Sequence, residues 1–300
     1  MKQLKLPNFF IIGAPKSGTT TLSLALAQHP QIFMPKAREL HYFAPDLFPG
    51  RGISKSTYTR LFRDAAGYPA IGDKSVWYLY SAAAPDLILD TCPDARVLIM
   101  LRNPVEMLSS LHNQYLFSNR ENHKIFYEAL TAEVMRRQGK DVPATVENPW
   151  FLFYTEIGKY SKHVVRYLER FGKDKVKIVI FDDFIADPAG VYRSIFSFLG
   201  VDQDFQPVIE THNPRKTVRS RLVSKITNPP IAVKSFLRKI LPFVIRRNLL
   251  KTVYRLNTRP IVVEEVESRA RQWILDHVKE DVEHLQDHIC RDLSLWLNPS

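Results

Sequence analysis

A chain of 300 residues has room for one large α/β domain or two small ones. Hydrophobic residues make up 45% and charged residues 24%, which favours a globular protein with a buried core over a disordered or fibrous chain. The only two cysteines, Cys92 and Cys290, exclude a disulfide framework and favour a reducing compartment. The longest apolar runs are too short for a membrane span, and the first predicted strand begins too early to leave room for a signal peptide. We therefore expect a cytoplasmic protein.

The net charge of +11 comes from one segment. Between Thr211 and Val263 there are 13 Lys or Arg residues and no Asp or Glu, while the rest of the chain is close to neutral. Basic and apolar residues interleave within 225–259, as in an amphipathic surface. We expect residues 211–263 to form a helical insertion or lid. Two interpretations stay open: contact with an anionic surface, such as the inner membrane face or a polyanionic ligand, and a helix pair with a solvated basic face.

The first predicted element is a buried strand at 9–12, and a helix face follows at 22–26. Small residues and one lysine lie between them. Backbone N–H groups of such a loop point into a concavity, and the helix dipole adds positive charge. The stretch therefore predicts a phosphate cradle, with Lys16 supplying a full charge. The order of residues is not that of a Walker A box, because the lysine precedes the second glycine, Gly18.

Strand and helix patterns alternate along the rest of the chain, which predicts parallel βαβ units. We expect one α/β domain over residues 1–300, with a polar segment at 119–147 as a mobile flap or an insertion beside the acceptor. The predicted elements are an extended piece at 31–34, a helix near 58–62, a strand at 70–74, a helix near 82–90, a strand at 96–101, a helix from Pro104, a helix at 157–171, a strand at 176–181, a helix at 191–199 and a final helix at 263–289.

Three basic residues follow predicted strands: Lys16, Lys74 and Arg102. Ligands of open α/β sheets bind at the carboxyl ends of the strands. These cations therefore indicate an anionic ligand with more than one phosphate-like group. A helix-entry salt bridge for Arg102 and a surface position for Lys74 are the alternatives.

The loop Lys16-Ser17-Gly18-Thr19-Thr20 resembles the 5′-phosphosulfate loop of sulfotransferases that use 3′-phosphoadenosine 5′-phosphosulfate (PAPS). Arg102-Asn103-Pro104, with Ser110 eight residues after the arginine, resembles the 3′-phosphate site of that family. Ser109 is the alternative serine. The motif Asp182-Asp183-Phe184 is similar to part of the back half of a sulfotransferase domain, and the tail 291–296 resembles the tail of many bacterial members. The resemblance implies a P-loop-like three-layer fold with a central parallel sheet flanked by helices, PAPS as co-substrate, and no metal.

The segment 38–43 is similar to the Glu-x-His-x-Phe segment of heparan and other glycosaminoglycan sulfotransferases. This resemblance implies Glu39 as the general base and a hydroxyl of a carbohydrate as the acceptor. His41 is the alternative base, which would place the chain with sulfotransferases of lipids or small metabolites. The run 73–78 resembles a Glu-Lys-Ser/Thr-Pro-x-Tyr motif, with Asp73 in place of the Glu. Its Lys74 is expected to reach the sulfuryl group or the acceptor.

A basic loop is expected to close over the nucleotide with Arg215, Lys216 and Arg219. One departure from the family pattern is Thr21, where many cytosolic sulfotransferases have a tryptophan that stacks on adenine.

Two other classes of function remain open. A P-loop kinase acting on a small molecule would need an acidic Mg²⁺ site, for which Asp182-Asp183 is the only strand-end candidate. A nucleic-acid-binding module could use 211–259, but that segment lacks an interleaved aromatic platform, so no specific nucleic acid is expected. The pair His284 and His288 has metal-ligand spacing, yet a third ligand is not evident and a solvated helix face is the better interpretation.

Overall fold

The computed structural model describes residues 5–36, 39–50, 52–146, 148–208, 216–218, 258–260 and 266–298. Most of the basic segment at 211–263, and with it the predicted lid and membrane contact at 225–259, lies outside these residues. Among the described helices, none is both long and apolar enough to cross a membrane.

The described residues contain a five-stranded parallel sheet in the order β2-β3-β1-β4-β5. Its strands are β1 (Phe9–Gly13), β2 (Ile32–Phe33), β3 (Ala70–Lys74), β4 (Arg96–Leu101) and β5 (Val176–Ile180). A separate antiparallel pair consists of β6 (Lys216–Val218) and β7 (Thr258–Pro260).

The described helices are α1 (Thr19–Leu26), α2 (Lys55–Arg60), α3 (Ala84–Thr91), α4 (Pro104–Phe117), α5 (Phe126–Thr131), α6 (Glu133–Arg137), α7 (Tyr154–Gly158), α8 (Ser161–Phe171), α9 (Phe181–Ala186), α10 (Pro188–Leu199) and α11 (Ser268–Ile289). Short 3-10 helices occur at Tyr78–Tyr80, Pro149–Leu152, Lys173–Lys175 and Ser294–Leu297.

The chain divides into two compact units. The first comprises Met1–Asn103, Lys159–His212 and Glu280–Leu297, and it contains the five-stranded sheet. The second comprises Pro104–Gly158, Asn213–Lys279 and Asn298–Ser300.

The sheet of the first unit is covered on both faces, as its sequence requires. Every residue of β1 is buried, and β4 is buried after its first residue. Since side chains alternate between the faces of a strand, Phe9 and Ile11 join one core cluster with Leu22 of α1 and Phe196 of α10. On the other face, the Phe10 ring lies edge-on to the Phe43 ring, with the ring centroids 5.6 Å apart. The predicted three-layer fold with a central parallel sheet flanked by helices is confirmed.

Helix boundaries differ from the predictions where a side chain interrupts the backbone ladder. The helix expected at 157–171 is two helices, α7 and α8. The Asp281 carboxylate accepts the backbone N–H groups of Tyr160 and Ser161 at the start of α8, with a shortest distance of 2.6 Å. This acceptor occupies N–H groups that a continuous helix would use, so the chain restarts there. The final helix is described from Ser268 and not from Val263.

The segment predicted as a flap, 119–147, contains α5 and α6 in the second unit. The Arg136 guanidinium donates to both carboxylate oxygens of Glu121, at 3.0 and 2.6 Å, and neither side chain is exposed. The Tyr154 hydroxyl donates to the same carboxylate at 2.8 Å. The buried, bidentate pair joins two parts of the segment itself, and the Tyr154 hydrogen bond ties the segment to α7. That the segment is mobile stays a prediction.

Candidate active site

The loop between β1 and α1 has the backbone geometry of an anion cradle. Lys16 and Gly18 both have positive φ values, 61° and 83°. A Cβ on Gly18 would lie 2.8 Å from the Phe181 ring, so both conformation and space require glycine. Gly18 is the N-cap of α1 and offers no side-chain acceptor, and the first turn has no acidic residue. An anion here would meet helix N–H groups that no capping side chain occupies.

Arg102, which follows β4, is fixed against this loop. Its Nη1 donates to the Lys16 carbonyl at 3.3 Å, and its guanidinium lies over the Phe181 ring, 4.5 Å from the centroid. The Tyr160 hydroxyl donates to the Arg102 carbonyl at 3.0 Å. Burial raises the pKa of that tyrosine hydroxyl, which keeps it a neutral donor. The contacts give the end of β4 and the loop one rigid arrangement.

Lys74, at the end of β3, joins the loop to residues 39–43, here called the acceptor-side segment after the role that the sequence predicts for Glu39. Its Nζ donates to Thr20 Oγ1 at 3.2 Å and forms an ion pair with Glu39 Oε1 at 2.8 Å. The lysine side chain is 9% exposed and the glutamate side chain 26%. Two of the predicted catalytic residues therefore meet directly, beside a threonine of the predicted phosphate loop.

The rest of the acceptor-side segment is held by the residues after Lys74. The Val76 N–H donates to the second carboxylate oxygen of Glu39 at 2.8 Å. The buried Ser75 hydroxyl accepts the N–H groups of Leu40 and His41 at 2.9 and 3.0 Å. The His41 ring is stacked on Phe48, with centroids 4.0 Å apart. Both carboxylate oxygens of Glu39 are thus held by contacts with Lys74 of β3 and with Val76 in the turn after it. The ring of His41 is held by its stacking on Phe48.

A buried carboxylate that sequence reasoning did not assign to the site lies one residue before Lys74. Asp73 is fully buried, and its Oδ2 accepts the hydroxyls of Tyr58 at 2.9 Å and Tyr78 at 3.2 Å. Burial raises the pKa of Asp73 to about 7, against the lowering effect of the two tyrosine hydrogen bonds. The sequence offered one signal for this residue, its acidic side chain inside the 73–78 motif. It did not show the partners of Asp73, because Tyr58 and Tyr78 lie in two other elements.

The remaining predicted site residues differ in what the structure describes. Ser17 and Thr19 are buried in the loop region. Ser110 is buried on α4, in the second unit, and Ser109 beside it is half-buried. These positions give no test of the predicted 3′-phosphate contact.

The predicted nucleotide-closing loop is described only at Lys216, whose backbone belongs to β6. Arg215 and Arg219 lie outside the described residues.

Asp182 and Asp183, the candidate metal ligands of a kinase, are engaged in contacts within the first unit. Asp182 accepts the indole N–H of Trp296 at 3.2 Å, and Asp183 pairs with Arg291 at 2.7 Å. Both carboxylates therefore anchor the 291–296 tail to the start of α9.

The fold and the loop geometry define an α/β protein with an anion cradle between β1 and α1, and comparison with known proteins gives the family. The family model of the sulfotransferase domain matches residues 6–241, so this chain belongs to the sulfotransferase family. The crystal structure of a sulfotransferase from Alicyclobacillus acidocaldarius is similar, with a TM-score of 0.74 and 30% identity, over 98% of this chain and 100% of that chain.

Curated relatives include eukaryotic sulfotransferases. The heparan sulfate glucosamine 3-O-sulfotransferase 3B1 of Mus musculus is 27% identical over 66% of this chain and 47% of its own length. The membrane-associated sulfotransferase kil1 of Dictyostelium discoideum is 33% identical over 39% of this chain and 24% of its own length. The chain thus spans less than half of these curated relatives.

Proposed function

We propose that this protein is an enzyme that transfers a sulfuryl group from PAPS to a hydroxyl of a carbohydrate, with Glu39 as the general base. One observation carries the proposal. The ion pair between Glu39 and Lys74, extended to Thr20, links a carboxylate on the acceptor side to a loop with the chemistry of a phosphate cradle. Family membership gives the reaction class, and this geometry supports the choice of residues.

The cations fit a nucleotide with two phosphate-like groups. When bound, PAPS supplies a sulfuryl group whose transfer leaves adenosine 3′,5′-bisphosphate. Lys16, the N–H groups at the start of α1 and Lys74 would hold the 5′-phosphosulfate end and stabilise the negative charge that develops on the departing phosphate. Arg102 would hold the 3′-phosphate, and sequence spacing adds Ser110 to that role.

Glu39 is suited to take the proton of the acceptor hydroxyl. As the acceptor oxygen bonds to sulfur and the bond from sulfur to the phosphate oxygen breaks, the hydroxyl proton passes to the carboxylate. The Val76 N–H and the Lys74 ammonium orient this carboxylate before the acceptor arrives. The stacked ring of His41 supports a shaping role for that residue.

The choice of a carbohydrate acceptor rests on two supports. Several relatives are named as heparan sulfate sulfotransferases. The concentration of 13 basic residues between Thr211 and Val263 would suit a polyanionic polysaccharide.

A small-molecule kinase is disfavoured by the contacts of its candidate metal ligands. A divalent metal would have to displace Trp296 from Asp182 and Arg291 from Asp183. Lys16, Lys74 and Arg102 instead offer cationic side chains for the donor.

The donor assignment predicts a strong preference for the 3′-phosphate. Adenosine 3′,5′-bisphosphate should bind far more tightly than AMP, because a hydrogen bond to a charged group contributes about 1.5–3 kcal/mol. Arg102→Ala should weaken bisphosphate binding about tenfold or more and weaken AMP binding much less. Isothermal titration calorimetry with both nucleotides measures this.

Arg102→Lys is the matched control, because it keeps the charge and loses the planar contact with Phe181. Its bisphosphate affinity should fall between the wild type and Arg102→Ala. Equal affinities of the wild type for AMP and the bisphosphate would refute the 3′-phosphate assignment.

A further inference from the structure

We propose that Asp73 is a positioning residue that, through Tyr58 and Tyr78, fixes the acceptor-side segment 39–43 against Lys74, and that turnover requires its ionised form. The inference rests on the proposed function, since it concerns the pair formed by Glu39 and Lys74.

The immediate surroundings of Asp73 are unusual for a carboxylate. The residue is 0% exposed at the end of β3, adjacent in sequence to Lys74. Both tyrosine hydroxyls reach the same oxygen, Oδ2, from α2 and from the 3-10 helix after β3. The other oxygen, Oδ1, has no hydrogen-bond partner within the described part of the chain. A buried charge with one unsatisfied oxygen is costly, and a purely structural role would be filled at less cost by an amide.

The two tyrosines link Asp73 to the acceptor-side segment 39–43. The Tyr58 ring is stacked on the Tyr42 ring, with centroids 4.2 Å apart and planes 12° apart. The Tyr78 hydroxyl accepts the N–H of Phe43 at 3.4 Å. Tyr42 and Phe43 follow Glu39 by three and four residues. A change at Asp73 is therefore expected to shift the segment that bears the proposed base, Glu39. The residue after Asp73, Lys74, contacts Glu39 directly.

The groups facing Asp73 are Tyr58 from α2, Tyr78 from the 3-10 helix, Glu39 from the acceptor-side segment, Lys74 on its own strand, and Cys92 after α3. Burial is the main cause that raises the pKa of Asp73, to about 7, and the Glu39 charge adds to the rise. Burial also raises the pKa of the Tyr58 and Tyr78 hydroxyls and of the Cys92 thiol, so these groups stay neutral near pH 7.

The two forms of Asp73 differ in how firmly they hold the tyrosines. The ionised carboxylate accepts both hydroxyl protons in charge-assisted bonds, which are about twice as strong as neutral ones. Protonation weakens both bonds and loosens the link to Tyr42 and Phe43. Turnover is therefore expected to rise as the pH rises through about 7.

The ionisation of Asp73 is expected to have opposite effects on turnover and on stability: as the pH rises, turnover increases and the free energy of unfolding decreases. The pKa of Asp73 is raised from 3.8 in the free residue to about 7 in the fold, so the folded state binds the extra proton between these values. The stability that this proton confers is lost as the pH rises through about 7. Asp73→Asn carries no such proton and should melt with a weaker pH dependence than the wild type.

The test measures kcat with saturating substrates, and Tm without ligand, between about pH 5 and pH 9. The variants are Asp73→Asn, Tyr58→Phe, Tyr78→Phe and the control Tyr192→Phe. Tyr192 has a buried hydroxyl without a hydrogen-bond partner in the described residues, and it lies in the core cluster with α10.

Wild-type kcat should rise about five- to tenfold across pH 7, because the free-energy difference between a charge-assisted and a neutral hydrogen bond corresponds to roughly that factor in an equilibrium constant. Asp73→Asn should stay near the low-pH level of the wild type at every pH. Tyr58→Phe and Tyr78→Phe should each lose severalfold in kcat above pH 7. Tyr192→Phe should behave as the wild type.

A pH profile of kcat in Asp73→Asn that parallels the wild type would overturn the proposal, as would tyrosine variants that match Tyr192→Phe. A wild type that neither binds the bisphosphate nor transfers sulfuryl groups would instead refute the proposed function. The melting profile needs no ligand and still decides whether Asp73 titrates. If Asp73→Asn melts with the same pH dependence as the wild type, the proposal fails whatever the activity.

Discussion

Glu39→Gln should lower turnover by about 10²–10⁴-fold, the usual contribution of a general base, while leaving bisphosphate affinity within about twofold. Glutamine keeps an oxygen for the Val76 N–H, so the local geometry is retained. It loses the charge that pairs with Lys74 and cannot take the acceptor proton. Steady-state kinetics with the true acceptor, together with calorimetric nucleotide binding, measure both effects.

Glu169→Gln is the matched control, since Glu169 is an exposed glutamate on α8 and its substitution should leave turnover unchanged. His41→Ala should lower turnover less than Glu39→Gln, because the ring of His41 is stacked on Phe48 and its proposed role is only to shape the site. If Glu39→Gln retains nearly full turnover and His41→Ala loses it, the base is His41, and lipid or small-metabolite acceptors become the better proposal.

Arg136→Ala should destabilise the second unit by about 3–5 kcal/mol, because it leaves the fully buried Glu121 carboxylate without its bidentate partner. The Tyr154 hydroxyl would remain as a donor to that carboxylate, and it supplies no positive charge. Thermal unfolding should show a decrease of roughly 10 °C in Tm.

The control is Arg170→Ala, which breaks an ion pair with Asp86 in which both side chains are more than half exposed. Exposed pairs typically contribute about 0–1 kcal/mol, so Tm should change by a few degrees at most. Similar changes in Tm for the two variants would contradict the structural importance assigned to the buried pair.

Much of the first unit could be predicted from the sequence because its signals are local. The continuous apolar run of β4 predicted a strand buried on both faces, and its bounds agree with the prediction. The glycines and Lys16 identified the loop, because small side chains and a nearby charge are properties of residue type. Pro104 marked the first turn of α4.

The missed features depend on contacts between residues far apart in the chain. Asp73 and Tyr58 are separated by 15 residues, and Asp281 and Tyr160 by 121. Neither contact has a periodic pattern that a single sequence displays. The sequence indicates Glu39 and Lys74 as members of two separate motifs. Only the folded chain shows that their side chains form an ion pair, with Lys74 Nζ 2.8 Å from Glu39 Oε1.

The most direct test of the proposed reaction is transfer from PAPS labelled with ³⁵S to a panel of acceptors that includes heparan-type polysaccharide. We predict that label moves to polysaccharide hydroxyls, with one bisphosphate released for each sulfuryl group transferred. Glu39→Gln serves as the inactive control in the same assay. Failure of every acceptor in the panel to gain label, combined with Mg²⁺-dependent phosphoryl transfer from ATP, would contradict the account and favour a kinase.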